Sequence, residues 1–158
     1  MLEQNINVDS LKKLQWKIMQ NVAAGAIIPL MRIGDELGLF KKLADGGPYT
    51  VEEFSSAAKI DQRYCKEWLN AMCAAGFCSH DSELIRFHLN PEQQAVFANE
   101  DSPALMIGAY DVLSGNIHSI EKVKKAFETG EGVPYGESHP CIFQGTARFF
   151  RPSYSSNL

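Results

Sequence analysis

Four histidines, four cysteines and one glycine-spaced stretch are the residues of this chain that could hold a metal, attack an electrophile or cradle a phosphate. The histidines are His80, His88, His118 and His139. None forms an H-x-x-x-H pair on a helix, and no carboxylate joins them at ligand spacing, so no metal site is read. His80 and His88 are expected to face each other across a hairpin as a solvated pair. Cys65, Cys73, Cys78 and Cys141 make no C-x-x-C pair. Three of them fall in or beside one predicted helix among apolar neighbours, the pattern of buried, reduced thiols in a cytosolic protein. Gly130-x-Gly132-x-x-x-Gly136 follows no strand, so it lacks the strand–turn–helix context of a phosphate loop and reads as a plain loop. The serines sit at caps and turns, none on a nucleophile elbow. No catalytic residue is assigned.

A ligand pocket wants an apolar and aromatic lining with a few polar groups. The C-terminal third has that mixture, with Tyr135-Gly136-Glu137-Ser138-His139-Pro140 followed by Phe149-Phe150-Arg151-Pro152-Ser153-Tyr154. It is the best candidate for a site, although the phenylalanines could equally pack among themselves.

The elements that must position these residues follow from caps and periodicity. Asp9 and Ser10 suit the N-cap of a first helix carrying Leu11, Leu14, Ile18 and Val22 at helical spacing. A break or kink is expected near Gly25 and Pro29. The pattern then resumes with Leu30, Ile33, Leu37 and Phe40. Asp45-Gly46-Gly47-Pro48 is a loop. Thr50 with Glu53 three residues on is a capping box, which gives Glu52 and Glu53 a helix-terminal role rather than acid–base chemistry. Asp61 caps the next helix, whose inward face is assigned to Tyr64, Trp68 and Met72, each worth about 1.5–3 kcal/mol if fully buried. Gly76 ends it. A hairpin turning near Asp81-Ser82 returns through Leu84, Ile85, Phe87 and Leu89. Asn90-Pro91 opens a short helix with Gln93 at N3, and Ser102-Pro103 repeats the device before a long helix. That helix presents Leu105, Ala109, Leu113, Ile117, Ile120 and Phe127 on one side, with Gly115 as a possible bend. A last helix starts at His139-Pro140, carries Phe143, Ala147, Phe150 and Tyr154, and is interrupted by Pro152.

Two helices and a hairpin in that order make a winged helix-turn-helix. The expected fold is mainly α, with a small β-hairpin wing and long N- and C-terminal helices. It divides into a helical arm (1–45), the winged helix-turn-helix (46–100) and a C-terminal helical segment (101–158). At 158 residues the chain can bury a real core, and 45% hydrophobic with 22% charged residues is ordinary globular composition. No signal peptide or membrane span is read, which sets a cytoplasmic default.

Charge bears on what the winged helix is for. The whole chain carries −4. From Val51 to Leu89, four cations (Lys59, Arg63, Lys66, Arg86) face six carboxylates (Glu52, Glu53, Asp61, Glu67, Asp81, Glu83), a local charge of −2. DNA backbone recognition requires the opposite sign. Arg63 and Lys66 are the residues that a DNA-reading helix would use, but Asp81 and Glu83 at the wing would be repelled.

Several stretches resemble one family. Ile33-Gly34-Asp35-Glu36-Leu37-Gly38-Leu39-Phe40, Thr50-Val51-Glu52-Glu53-Phe54, Arg63-Tyr64-Cys65-Lys66-Glu67-Trp68-Leu69, Glu100-Asp101-Ser102-Pro103-Ala104 and His139-Pro140-Cys141-Ile142-Phe143-Gln144-Gly145-Thr146-Ala147-Arg148-Phe149-Phe150-Arg151-Pro152 carry the likeness. The chain is similar, from about Ala23, to the N-terminal winged-helix region of bacterial S-adenosylmethionine-dependent methyltransferases, some of them labelled transcriptional regulators. The resemblance implies a part in homodimerisation and in the pocket for a small-molecule methyl acceptor. It implies substrate-side roles for Tyr135, His139, Phe149, Phe150, Arg151 and Tyr154. The donor-binding Rossmann-like domain of that family opens with a strand, a glycine-rich turn and a helix, which this chain does not contain. By itself the chain is therefore expected neither to bind S-adenosylmethionine nor to transfer a methyl group, and it reads as an excised or truncated domain or a stand-alone relative.

Three readings remain. The first is a dimerising substrate-cap domain using Leu11, Leu14, Ile18 and Val22 as its interface. The second is a winged-helix DNA-binding transcriptional regulator using Arg63 and Lys66. The third is an interaction module without ligand or DNA.

Overall fold

The computed structural model describes residues 6–83 and 85–156. Leu84, which the sequence reading puts on the return strand, lies outside the described residues. The helices are α1 (Val8–Glu36), α2 (Leu39–Gly46), α3 (Val51–Ala58), α4 (Gln62–Ala74), α5 (Pro91–Phe97), α6 (Gly108–His118), α7 (Ile120–Thr129) and α8 (Pro140–Ser156). Between α4 and α5 lies the wing, β1 (Ser79–Asp81) antiparallel to β2 (Arg86–His88). Among the described residues the architecture is mainly α with this one small sheet, as expected.

The core forms where α1, α2, α3, α4 and α5 converge. Met31, Leu39, Phe40, Leu43, Phe54, Cys65, Trp68, Leu69, Met72 and Phe97 are buried together. Phe40 meets the Trp68 ring edge-on at 5.1 Å, and the Trp68 indole N–H donates to the Leu30 carbonyl at 2.9 Å. Gly34 makes this approach possible, since a Cβ there would lie 2.5 Å from the Trp68 ring. Gly38, at φ +65°, turns the chain from α1 into α2.

Local signals hold well around the wing. Thr50 and Glu53 form the expected capping box, and Asp61 accepts from the Arg63 and Tyr64 amides. Gly76 adopts φ +78° after α4, and Asn90 with Gln93 boxes α5. The wing is pinned to the core by Tyr49, which exchanges two backbone hydrogen bonds with Phe87 at 2.7 and 2.9 Å.

Other expectations are corrected. Asn7, not Asp9 or Ser10, caps α1; its side chain accepts from the Ser10 amide. The helix runs through Gly25 and Pro29 without a break, and the turns after Pro29 bury Met31 and Gly34. At 1.5 Å per residue it is about 43 Å long. On α4, Tyr64 is 65% exposed, and Cys65 and Leu69 join Trp68 and Met72 on the buried face. Ile85 is exposed at the wing turn with φ +53°, leaving Phe87 and Leu89 to bury. His80 pairs with Phe87 and His88 with Ser79, so the two imidazoles do not oppose each other.

The C-terminal helices differ in phase from the expectation. Ser102-Pro103 opens only a turn, and the long helix divides into α6 and α7 at Ser119. Leu113, Ile117, Ile120 and Phe127 are exposed. The face of α6 that packs is Gly108, Asp111 and Gly115. It meets α8 at Ile142, Gly145 and Arg148, and α8 continues through Pro152. Gly115 is therefore a site of close approach to Ile142 rather than a bend.

A Cβ at Gly145 would lie 2.7 Å from the Gly108 carbonyl oxygen and 2.8 Å from the Val112 amide nitrogen, both backbone. Gly145→Val is expected to destabilise the fold by about 1–3 kcal/mol through overpacking. The urea-unfolding midpoint measures it, and an unchanged midpoint would contradict the close α6–α8 crossing.

Candidate functional site

The candidate residues of the C-terminal third fall into two groups at opposite ends of α8, roughly 18 Å apart along the helix from position 139 to 151. At the first end, Tyr135 packs edge-on against Phe143 at 4.9 Å. His139 stacks on His118, the last residue of α6, at 4.5 Å. The His139 Nδ1 accepts from the Cys141 amide, and the His118 Nδ1 lies 2.8 Å from the Ser114 carbonyl oxygen. At the second end, Phe149 and Phe150 meet edge-on at 5.0 Å, while Phe150 and Tyr154 are exposed. Arg151 donates to the Glu100 carboxylate at 2.6 Å and to its backbone carbonyl.

Between the two ends stands a residue to which the sequence reading assigned no role. Arg148 donates to both carboxylate oxygens of Asp35, at 2.5 and 2.9 Å, and also bonds Glu100. Its guanidinium lies 3.9 Å from Asp111 on α6. Arg32 bonds Asp111 from the other side and Glu36 on its own helix. Asp111 is 6% exposed, so its charge depends on these partners. One ionic cluster thus joins α1, the segment after α5, α6 and α8. Its sequence signal was faint. Arg148 and Arg151 lie one turn apart on a helix with no other charged residue, and their carboxylate partners come from distant stretches.

The cluster perturbs its own members. Hydrogen bonding from Arg148 holds the Glu100 carboxyl below its ordinary range, with Arg151 adding to the effect and burial opposing it. Burial alone would lower the Arg148 pKa, but bonds to Asp35 and Glu100 reverse the sign and raise it. Beside the cluster, a small cavity of about 140 Å³ is lined by Gly34, Asp35, Phe40, Phe97, Glu100 and Arg148.

Two other surfaces bear on function. On α1, Leu11, Leu14, Ile18 and Val22 are 41–58% exposed, and every described residue through Ala26 is exposed. Farther along, Ala23, Ala26, Ile27 and Leu30 of α1 form a shallow apolar groove with Ala71, Ala74 and Ala75 of α4. On the winged helix, Arg63 and Lys66 are exposed, with the Arg63 guanidinium 4.8 Å above the Tyr64 ring. Arg86, the wing's cation, is held by both oxygens of Glu53 at 2.8 and 2.9 Å. The Thr50 amide and then Arg86 hold the Glu53 carboxyl below its usual range. Gly132 and Gly136 have no atom within 4 Å of a built Cβ, so the glycine-spaced loop is open. No described helix is long and apolar enough to cross a membrane, and the described residues contain no cluster of three or more metal-ligating side chains.

Helices α3 and α4 with the β1–β2 wing define a winged helix-turn-helix domain. Residues 23–99 match the family model described as the Rv2258c-like winged HTH domain. No curated protein sequence matches the chain. Solved structures with a similar fold include methyltransferases and an enzyme of a pericyclic reaction. The mitomycin 7-O-methyltransferase MmcR superposes with a TM-score of 0.69 at 15% identity, over 95% of this chain and 47% of that one. A putative O-methyltransferase of Nostoc punctiforme gives 0.65 at 15% identity, over 89% and 42%. Human N-acetylserotonin methyltransferase, solved with S-adenosylmethionine, gives 0.59 at 14% identity, over 98% and 47%. The chain spans less than half the length of these structures, and at such identities the likeness is one of fold.

The Glu100 shift fixes a sign. A carboxyl whose folded pKa is depressed adds stability above its unfolded pKa and loses it as pH falls through the folded value. Unfolding free energy is expected to decline below about pH 5. Glu100→Gln should flatten that decline, as read by urea titrations between neutral and acid pH. A variant with the wild-type slope would contradict the role of Glu100 in the cluster.

Proposed function

We propose that this chain is the dimerisation and substrate-recognition domain of an S-adenosylmethionine-dependent small-molecule methyltransferase. The observation that carries the reading is the apolar face of α1, where Leu11, Leu14, Ile18 and Val22 are exposed among the described residues. A helix exposing such a face calls for a partner, and a second copy is the simplest one. The fold shared with methyltransferases supports the class.

The residues described here do not fit the methyl donor. Their only sheet is an antiparallel hairpin, and no glycine-rich turn joins a strand to a helix. The donor and the transfer step belong, on this reading, to another part of a longer protein. The substrate-side role falls to Tyr135 and His139 at one end of α8 and to Phe149, Phe150, Arg151 and Tyr154 at the other. Exposed Phe150 and Tyr154 offer apolar contact, whereas Arg151 is engaged with Glu100.

Exposure of Arg63 and Lys66 on α4 favours a second reading, a DNA-binding regulator. The pairing of Arg86 with Glu53 weighs against it, because it removes the wing's cation from phosphate contact. Salt-dependent duplex binding lost in Arg63→Ala and Lys66→Ala would favour DNA; no binding to genomic fragments at low salt would sink it.

Light scattering on the chain at tens of micromolar (on the order of a weak-dimer Kd) should give twice the monomer mass. Leu14→Asp and Ile18→Asp, both on the exposed arm, should give the monomer mass without loss of helical signal. A wild-type monomer would overturn the dimerisation part of the proposal.

A further inference from the structure

The end of α4 and the start of the wing bring two thiols together. The Met72 carbonyl accepts from the Phe77 amide at 2.8 Å and from the Cys78 amide at 3.2 Å. The Gly76 amide donates to the Cys73 carbonyl at 3.0 Å, with Gly76 left-handed. This is a closed helix-terminating turn that folds the chain back over the last turn of α4. It sets the backbone of Cys78 against the last turn of α4, which carries Cys73, and each thiol shifts the other's pKa. Both are free thiols; Cys73 is half-buried and Cys78 is 5% exposed. The Cys78 Sγ donates toward the His88 carbonyl on β2 at 3.3 Å, so the pair stands at the base of the wing.

We infer that Cys73 and Cys78 form a reversible intrachain disulfide by exchange with a low-molecular-weight disulfide. The Cys73 thiolate, the more accessible of the two, attacks one sulfur of the oxidant. The oxidant's S–S bond breaks, a mixed disulfide forms at Cys73, and one small thiolate leaves and takes up a proton. The Cys78 thiolate then attacks the Cys73 sulfur, forms the internal bond and expels the second small thiolate. The protein loses two protons and two electrons, and the oxidant becomes two thiols.

Placement and environment shape the step. A bridge would tie the C-terminal end of α4, which lines the apolar groove with Ala71, Ala74 and Ala75, to the first strand of the wing. It would also remove the Cys78 thiol from the His88 carbonyl. Burial pushes both thiols up, so exchange should be slow near neutral pH and accelerate as pH rises. The second step should be fast, because its partner is already in place. Cys65 serves as the internal comparison. It is buried, donates its thiol to the Val51 carbonyl, and has its pKa pushed up to about 11 by burial.

The test is intact-mass and peptide mass spectrometry of the folded chain after incubation with glutathione disulfide at mildly alkaline pH. The expected product is two hydrogens lighter, with Cys73 joined to Cys78 and no populated glutathione adduct at Cys73. Cys78→Ser should instead accumulate that adduct, and dithiothreitol should reverse both products. An adduct that persists at Cys73 in the wild type overturns the inference, as does a bridge that forms only in urea. Unmodified wild type, under conditions where Cys78→Ser acquires the adduct, also overturns it.

Discussion

Arg148 is the residue on which the C-terminal half of this structure hangs. Its guanidinium is bound by Asp35 from α1 and by Glu100 from the segment after α5, with Asp111 of α6 beside it. Arg32 completes the cluster by bonding Asp111 from α1. Arg32, Asp35, Asp111 and Arg148 are largely shielded from water, so these charges depend on one another, while Glu100 stays about half exposed. Removing one would leave a partner desolvated and unpaired, which costs more than the pair itself contributes. Glycines at 108, 115 and 145 let α6 and α8 approach closely enough for Arg148 to reach across to α1. Shape and charge therefore act together. The small residues set the helix separation, and the ionic cluster sets which way α8 faces.

That arrangement gives α1 two roles. Its second half is part of the core, with Met31 and Gly34 buried, Trp68 bonded to Leu30, and Arg32 and Asp35 in the cluster. Its first half is exposed throughout among the described residues. A helix of about 15 residues is marginal in water without packing. Continuity with the anchored half helps to propagate the arm, but its apolar stripe asks for a surface to bury. On the proposed function that surface is a second chain, and α8, packed on α6, is tied to the anchored half of α1 through Arg148 and Asp35.

Much of the winged helix was legible in sequence because its signals are local. Thr50 with Glu53, Asp61, Gly76 and Asn90 with Gln93 each specify a cap or a stop through neighbours within a few residues. The C-terminal helices were read in the wrong phase for a physical reason. Periodicity arguments assume that apolar residues face inward, yet here the packed faces carry Gly108, Asp111, Gly115, Gly145 and Arg148. Leu113, Ile117 and Phe127 remain outside. Arg148 could not be singled out because its partners lie 48 and 113 positions away. The six substrate-side candidates came from a resemblance; Tyr135 and His139 precede α8, and Phe149, Phe150, Arg151 and Tyr154 lie on its second half. The bare arm was legible only as amphipathic, since sequence alone does not say whether such a helix folds back onto its own core.

Amide hydrogen exchange at two protein concentrations tests the central claim most directly. If the arm is a dimerisation element, amides between residues 11 and 22 should be protected at high concentration and exchange much faster on dilution, while α3, α4 and α8 keep their protection. Arm amides that exchange rapidly at every concentration would contradict the account. So would arm amides whose protection is indifferent to dilution across the monomer–dimer range.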